Sequence, residues 1–109
     1  MCRALTVLCL ATDEDALGAL KRATVSADWE LAPGATTEEE ATRQLHERRP
    51  QVLVAFGDFG PFVARALEAY PYLRVVADRE LAGASAIASS LEEVRDAIRG
   101  RGRPGGPVR

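Results

Sequence analysis

Short apolar runs alternate with amphipathic stretches along most of this 109-residue sequence. The first run, Ala4 to Leu10, is nearly continuous, as expected for a strand that is covered on both faces of a sheet. Further strand-like runs occupy 29–32, 51–56, 73–77 and 84–89, and most intervening stretches place apolar residues at helical spacing. This alternation is typical of βα units around a parallel sheet.

Capping and breaking residues set the expected helix boundaries. Thr12 or Asp13 can begin the first helix, Thr36 or Thr37 the second, and Pro61 suits the first turn of the third. The stretch 78–82 offers only about one helical turn, and 91–98 carries a last helix. Right-handed crossovers then favour an α/β, three-layer flavodoxin-like fold: a five-stranded parallel sheet in the order 2-1-3-4-5, with the fourth helix reduced or absent.

Composition bounds the domain organisation and the partners. Residues 1–100 form one expected domain, and 101–109, rich in Gly, Arg and Pro, form a disordered tail or linker stub. A net charge of −2 gives no general reason to expect a polyanion or a membrane as partner. Cys2 and Cys9 are too few for a disulfide framework or a zinc site, so we expect a reducing cytoplasm.

Three local stretches carry a family resemblance. They are the Pro50-Gln51 step before an apolar strand, Gly83-Ala84 at the entry to the last strand, and the helical pattern of 91–98. On these stretches the layout from Ala4 to Gly100 resembles the receiver domain of bacterial two-component response regulators. The resemblance implies a signalling function and a phosphorylation site at the carboxyl ends of the strands.

That chemistry needs an acid pair that holds Mg²⁺, an aspartate nucleophile, a hydroxyl and a lysine. In this sequence Thr12 and Asp13 occupy the acid-pair positions, with Glu14 next. The position of the nucleophile, counted from Pro50, carries a phenylalanine. That phenylalanine is Phe56; Ala77 stands at the hydroxyl position and Ser90 at the lysine position. Phosphotransfer in the family's usual form is therefore not expected, and we predict no enzymatic activity.

Two alternatives use the same crevice. A shifted loop would let Asp58 act as a displaced phosphoacceptor, with Asp13 and Asp58 as the candidate metal ligands, although we expect Asp58 to cap a helix or lie in a solvated turn. Phe56, Phe59 and Phe62 are expected to plug the crevice; the functional alternative is a small apolar ligand pocket there. No cofactor is expected, because no glycine-rich phosphate loop follows the first strand.

The leading interpretation is a phosphorylation-independent, receiver-like domain that acts through protein contacts. The shortened stretch 78–83 leaves no room for a full fourth helix, which predicts an exposed sheet edge or apolar patch that a partner or a second copy covers. The first and last helices are the alternative surface. The candidate contact residues are Leu81, Ile87, Leu91, Val94 and Ile98.

The tail contains one short motif. Arg101-Gly102-Arg103-Pro104 matches the core of an AT-hook, in which Arg101 and Arg103 would enter a narrow minor groove. The residues that follow lack the usual basic flank, so the pattern argues against DNA binding.

Overall fold

The computed structural model describes residues 5–99 and the backbone of Arg103–Pro104. The five parallel strands are β1 Leu5–Leu10, β2 Trp29–Leu31, β3 Val52–Ala55, β4 Arg74–Ala77 and β5 Ala86–Ile87. The helices are α1 Glu14–Thr24, α2 Glu38–Arg48, α3 Gly60–Ala69 and α4 Val94–Arg99, the last preceded by a 3-10 turn, Leu91–Glu93.

The sheet has the predicted doubly wound topology. Its order is β2-β1-β3-β4-β5, all parallel, which confirms the flavodoxin-like fold expected from the sequence. A two-residue strand, β6 Arg103–Pro104, pairs antiparallel with β5. The remaining residues of the predicted tail, and Arg101 of the AT-hook match, lie outside the described residues.

Each central strand contributes side chains to two cores. Val7 and Cys9 of β1 pack with α1 and α4 on one face, whereas Leu8 and Leu10 pack with α2 and α3 on the other. β1, β3 and all of β4 after Arg74 are almost wholly buried, which is why these strands read as continuous apolar runs.

Local capping explains the helix starts. Asp13 begins α1 by accepting a hydrogen bond from the Ala16 amide at 2.8 Å, and Thr37 begins α2 by accepting one from Glu40 at 3.2 Å. Pro61 lies in the first turn of α3, where its missing N–H costs nothing. Among residues 5–99, every helix falls short of the length and apolar character that a membrane span requires.

The fourth helix of the usual receiver layout is absent between β4 and β5. The helical turn expected over 78–82 does not form, and the chain runs through bends and a turn. Gly83 has a φ of +92°, and a Cβ there would stand 2.5 Å from Leu67 Cδ1. This loop therefore closes tightly over α3, with Leu81 packed half-buried against the α2–α3 core.

A candidate functional site at the carboxyl ends of the strands

The pairing register brings the ends of four strands to one edge of the sheet. Leu10 pairs with Ala55, Ala55 with Ala77, and Ala77 with Ile87. The residues that follow these positions therefore border a common crevice, which is where ligands bind in open α/β sheets. The predicted site residues Thr12, Phe56 and Ala77 all lie at this edge.

The residues after β1 are exposed and already have a structural task. Thr12, Asp13 and Glu14 are all exposed, and Oδ1 of Asp13 caps α1. An acid that accepts a helix amide is stabilised by the cap and the helix dipole. The helix cap therefore explains the position of the Asp13 carboxylate without a bound metal ion.

Carbon atoms fill the crevice where β3 ends. Phe56 is half-buried and packs against the core beneath α1 and α4. The next residue, Gly57, has a φ of +134°, and a Cβ on it would stand 2.8 Å from both Thr12 Cγ2 and Phe59 Cε2. The methyl and the ring therefore lie directly over the backbone that follows Phe56.

The three phenylalanines predicted to cluster here divide between the two cores. Phe56 packs on the α1–α4 side, whereas Phe59 and Phe62 pack on the α2–α3 side. The single aromatic plug expected from the sequence is therefore wrong in its composition: Thr12 and Phe59, not all three rings, cover Gly57.

An ion pair at the end of β4 belongs to the crevice and was missed from the sequence. Asp78 Oδ1 accepts a hydrogen bond from the Gly57 amide at 3.3 Å and from Arg79 Nε at 3.0 Å. Asp78 thus joins the β3 and β4 ends. Its hydrogen bond and negative charge raise the pKa of the Arg79 guanidinium, with a smaller contribution from Asp58. A charged pair directly after a buried strand was the available signal.

Asp58 lies in a solvated turn. It is exposed, and α3 begins at Phe59 without a side-chain cap, so Asp58 does not serve as the helix cap considered from the sequence. Within residues 5–99, no three His, Cys, Asp or Glu side chains are grouped so as to hold a metal ion.

The positions predicted for the hydroxyl and the lysine carry no phosphate-binding group. Ala77 is fully buried, and its carbonyl accepts the Ala88 amide at 2.8 Å. Ser90 is exposed three residues after β5, at the start of the 3-10 turn. Lys21, the single lysine of the sequence, donates instead to the Pro33 carbonyl at 2.7 Å.

The predicted contact residues separate into surface and core. Val94 and Ile98 lie on the buried face of α4 with 0% and 1% exposure, so they cannot line a contact face. Their helical spacing faces the protein's own core, which corrects the prediction for these two residues. Leu81 and Ile87 are half-buried, and Leu91 is exposed.

The strand order, the crevice and the helices on both faces define a doubly wound α/β protein of the flavodoxin-like class. Within that class, the chain has the fold of a response-regulator receiver domain, as three solved structures indicate. No protein-family model matches the sequence, and no curated protein matches it.

The first structure is the isolated REC domain of RcsB from Salmonella enterica serovar Typhimurium, in the presence of the phosphomimetic BeF3−. It is 12% identical, with a TM-score of 0.72 over 94% of this chain and 92% of that one. A two-component transcriptional regulator AraC from Clostridium phytofermentans ISDg is 18% identical, with a TM-score of 0.64 over 90% and 91%.

The third is the signal receiver domain of an HD domain-containing protein from Pseudomonas fluorescens Pf-5, 18% identical with a TM-score of 0.61. That match covers 69% of this chain and 63% of the Pseudomonas chain, less than two thirds of its length. At these identities the similarity establishes the fold.

Proposed function

We propose that this protein is a receiver-like signalling module that works without aspartyl phosphorylation and acts through contacts with protein. The observation that carries the proposal is the half-buried ring of Phe56 at the end of β3, where the receiver resemblance expects a reactive carboxylate. The fold supports a signalling role, and the crevice residues argue for the loss of phosphotransfer.

Phosphoryl transfer depends on positioned charges. At the crevice, the charged groups that the receiver resemblance expects are replaced, or are already bound to other residues. A phenyl ring offers no oxygen for attack, and Ser90 cannot supply the cation that neutralises the transferred group. The carboxylate that does enter the crevice, Asp78, is bound to the Gly57 amide and to Arg79. Freeing it would break both interactions.

Protein contacts have a surface on the side of α1 and α4. Val25 is 54% exposed and Leu91 37% exposed, and both are large apolar side chains. Arg95, four residues after Leu91, donates from its guanidinium to the Val25 carbonyl at 2.9 Å, which ties the segment that carries Leu91 to the end of α1. We infer that a protein partner or a second copy covers this Val25–Leu91 patch.

Incubation with acetyl phosphate and Mg²⁺, followed by intact-mass measurement, tests the loss of phosphorylation. We expect no phosphoryl adduct under conditions that label a conventional receiver run in parallel. An adduct that disappears in Asp58→Asn but persists in Asp15→Asn, a matched exposed aspartate on α1, would overturn the proposal. That result would establish Asp58 as a displaced phosphoacceptor, the second candidate, which its exposed position three residues after β3 favours.

Sedimentation velocity over a wide concentration range tests the contact surface. We expect either self-association or binding to an identified partner, each weakened by Leu91→Glu. Ala64→Glu is the control, because Ala64 is also exposed on a helix but lies on α3. Equal loss with both variants would contradict the assignment to the Val25–Leu91 patch.

A further inference from the structure

A groove between α2 and α3 is separate from the crevice. It is open to solvent on one side and has a volume of about 200 Å³, and none of the crevice residues lines it. Its floor is apolar, because the buried side chains Leu45, Phe62 and Ala66 line it. A buried apolar cavity of about 150 Å³ is large enough to bind benzene, so this groove has room for a single ring.

The polar groups around the groove can donate hydrogen bonds, and one of them is positive. Arg65 is the charged residue among those that line it, and Thr42 and Tyr70, which also line it, carry hydroxyl groups. A guanidinium has five N–H donors and no acceptor, and its planar fork matches a carboxylate. An apolar floor with a cation at its edge is complementary to a small molecule with an apolar body and one carboxylate.

Arg65 can receive such a ligand at small cost. Its guanidinium contacts Glu38 through one nitrogen, Nη2, at 2.8 Å, which leaves Nε and Nη1 for another acceptor. The two side chains are 61% and 48% exposed, and exposed pairs of this kind contribute little to stability. A ligand carboxylate can therefore replace Glu38 on Arg65, which avoids two carboxylates repelling each other at one cation.

We propose that the α2–α3 groove binds a small aryl carboxylic acid, with the ring on Leu45, Phe62 and Ala66 and the carboxylate on Arg65. This site goes beyond the proposed function and is independent of it, because neither phosphorylation nor the Val25–Leu91 patch involves the groove. The occupant is defined by chemistry: one aromatic ring, one negative charge and a short link between them.

Calorimetric titration with phenylacetate, and with uncharged phenylacetamide, tests the proposal. We expect saturable phenylacetate binding with a Kd of about 1 mM or tighter, and binding of phenylacetamide at least about tenfold weaker. Arg65→Gln should remove the preference for the charged probe. Arg43→Gln, an exposed arginine on α2 that does not line the groove, should keep it.

Filling the groove provides a second test. Ala69 is exposed and lines the groove, whereas Ala64 is equally exposed on the same helix and does not. Ala69→Leu should weaken phenylacetate binding at least about tenfold, and Ala64→Leu should leave it unchanged. Absence of saturation at about 10 mM would overturn the proposal, as would full binding by folded Ala69→Leu or equal affinities for the acid and the amide.

Discussion

At the residue scale, Gly57 is a position at the crevice where backbone conformation and packing both demand glycine. Its φ of +134° is unfavourable for any side chain, and Thr12 and Phe59 occupy the space that a Cβ would need. The close approach also lets the Gly57 amide reach Asp78. Gly57 thus couples the end of β3 to the ends of β1 and β4.

Gly57→Ala should therefore lower the free energy of unfolding by about 2–4 kcal/mol, because the left-handed backbone and the displaced neighbours both add strain. Gly18→Ala is the matched control: Gly18 lies within α1, and a Cβ there meets only the flexible end of Arg22 at 3.6 Å. That change should stabilise by about 0.4–1 kcal/mol. Urea unfolding measures both, and equal effects would contradict the argument.

Cys9 shows how burial affects an ionisable group. Its thiol lies fully buried in the sheet and donates weakly to Thr24 Oγ1 at 3.7 Å. Burial disfavours the thiolate and raises the pKa of Cys9 to about 11, against an ordinary value of 9.0. The Cys9 thiol of the unfolded chain ionises at a lower pH than the thiol of the folded chain. The stabilisation that folding gains from the neutral thiol is therefore fully present below pH 9 and is lost as the pH rises towards 11.

Between pH 8 and pH 11, the wild-type protein should lose about 2 kcal/mol more unfolding free energy than Cys9→Ala. The other ionising groups are common to both proteins and cancel in the difference. Denaturant titrations at several pH values measure it. Parallel stability curves for the two proteins would show that the thiol ionises as easily in the folded state as in the unfolded one.

At the scale of elements, α4 depends on its neighbours. Six residues are far too few for a helix to be stable alone. Val94, Ala97 and Ile98 bury one face, and Arg74 on β4 donates to the Ile98 carbonyl at 2.8 Å and to the Ala97 carbonyl at 3.4 Å. Arg99 then stacks over Trp29 at 5.1 Å from the ring centroid.

Arg74→Met should lower the free energy of unfolding by about 1–3 kcal/mol, because it leaves the last carbonyls of α4 without their charged donor. Methionine keeps the apolar stem, so the lost hydrogen bonds dominate. Arg43→Met on the exposed face of α2 is the control and should change little. Hydrogen exchange of the α4 amides should accelerate in Arg74→Met alone; unchanged exchange would contradict this role.

The elements differ in how well the sequence predicted them. The strands and helices with a strong apolar period were predicted closely, since the period itself reports which face is buried. For the stretch 78–82 the sequence predicted a helix that is reduced or absent, and the helix is absent: Asp78 bonds to Gly57 and Gly83 packs on Leu67, both distant in sequence. Such tertiary contacts override a local preference for a helical turn.

The candidate site was predicted unevenly for the same reason. Counting from Pro50 located Phe56 and the crevice edge, because the register of parallel strands follows from the apolar runs. Asp78 escaped notice, although the charged pair Asp78-Arg79 directly after an apolar strand was visible in the sequence. Val94 and Ile98 were assigned to a surface because helical spacing identifies an apolar face without saying what covers it.

At the scale of the whole molecule, the two cores share the same strands. On β3, Leu53 points into the core beneath α2 and α3, and Val54 into the core beneath α1 and α4. Neither core can lose its packing while the shared strands stay ordered. A domain of this size built on one sheet is expected to unfold in a single cooperative step.

Leu53→Ala should therefore lower the stability of both cores together, by about 2–5 kcal/mol. Trp29 reports on the opposite core, since it packs beneath α1 and α4 and its indole donates to the Thr24 carbonyl at 2.9 Å. We expect Trp29 fluorescence and far-ultraviolet circular dichroism to give the same urea midpoint in Leu53→Ala, both shifted equally from wild type. A fluorescence midpoint that stays at the wild-type value while the dichroism midpoint falls would show that the cores unfold independently. The crevice would then join two separable halves, because Phe56 packs in one core and Phe59 in the other.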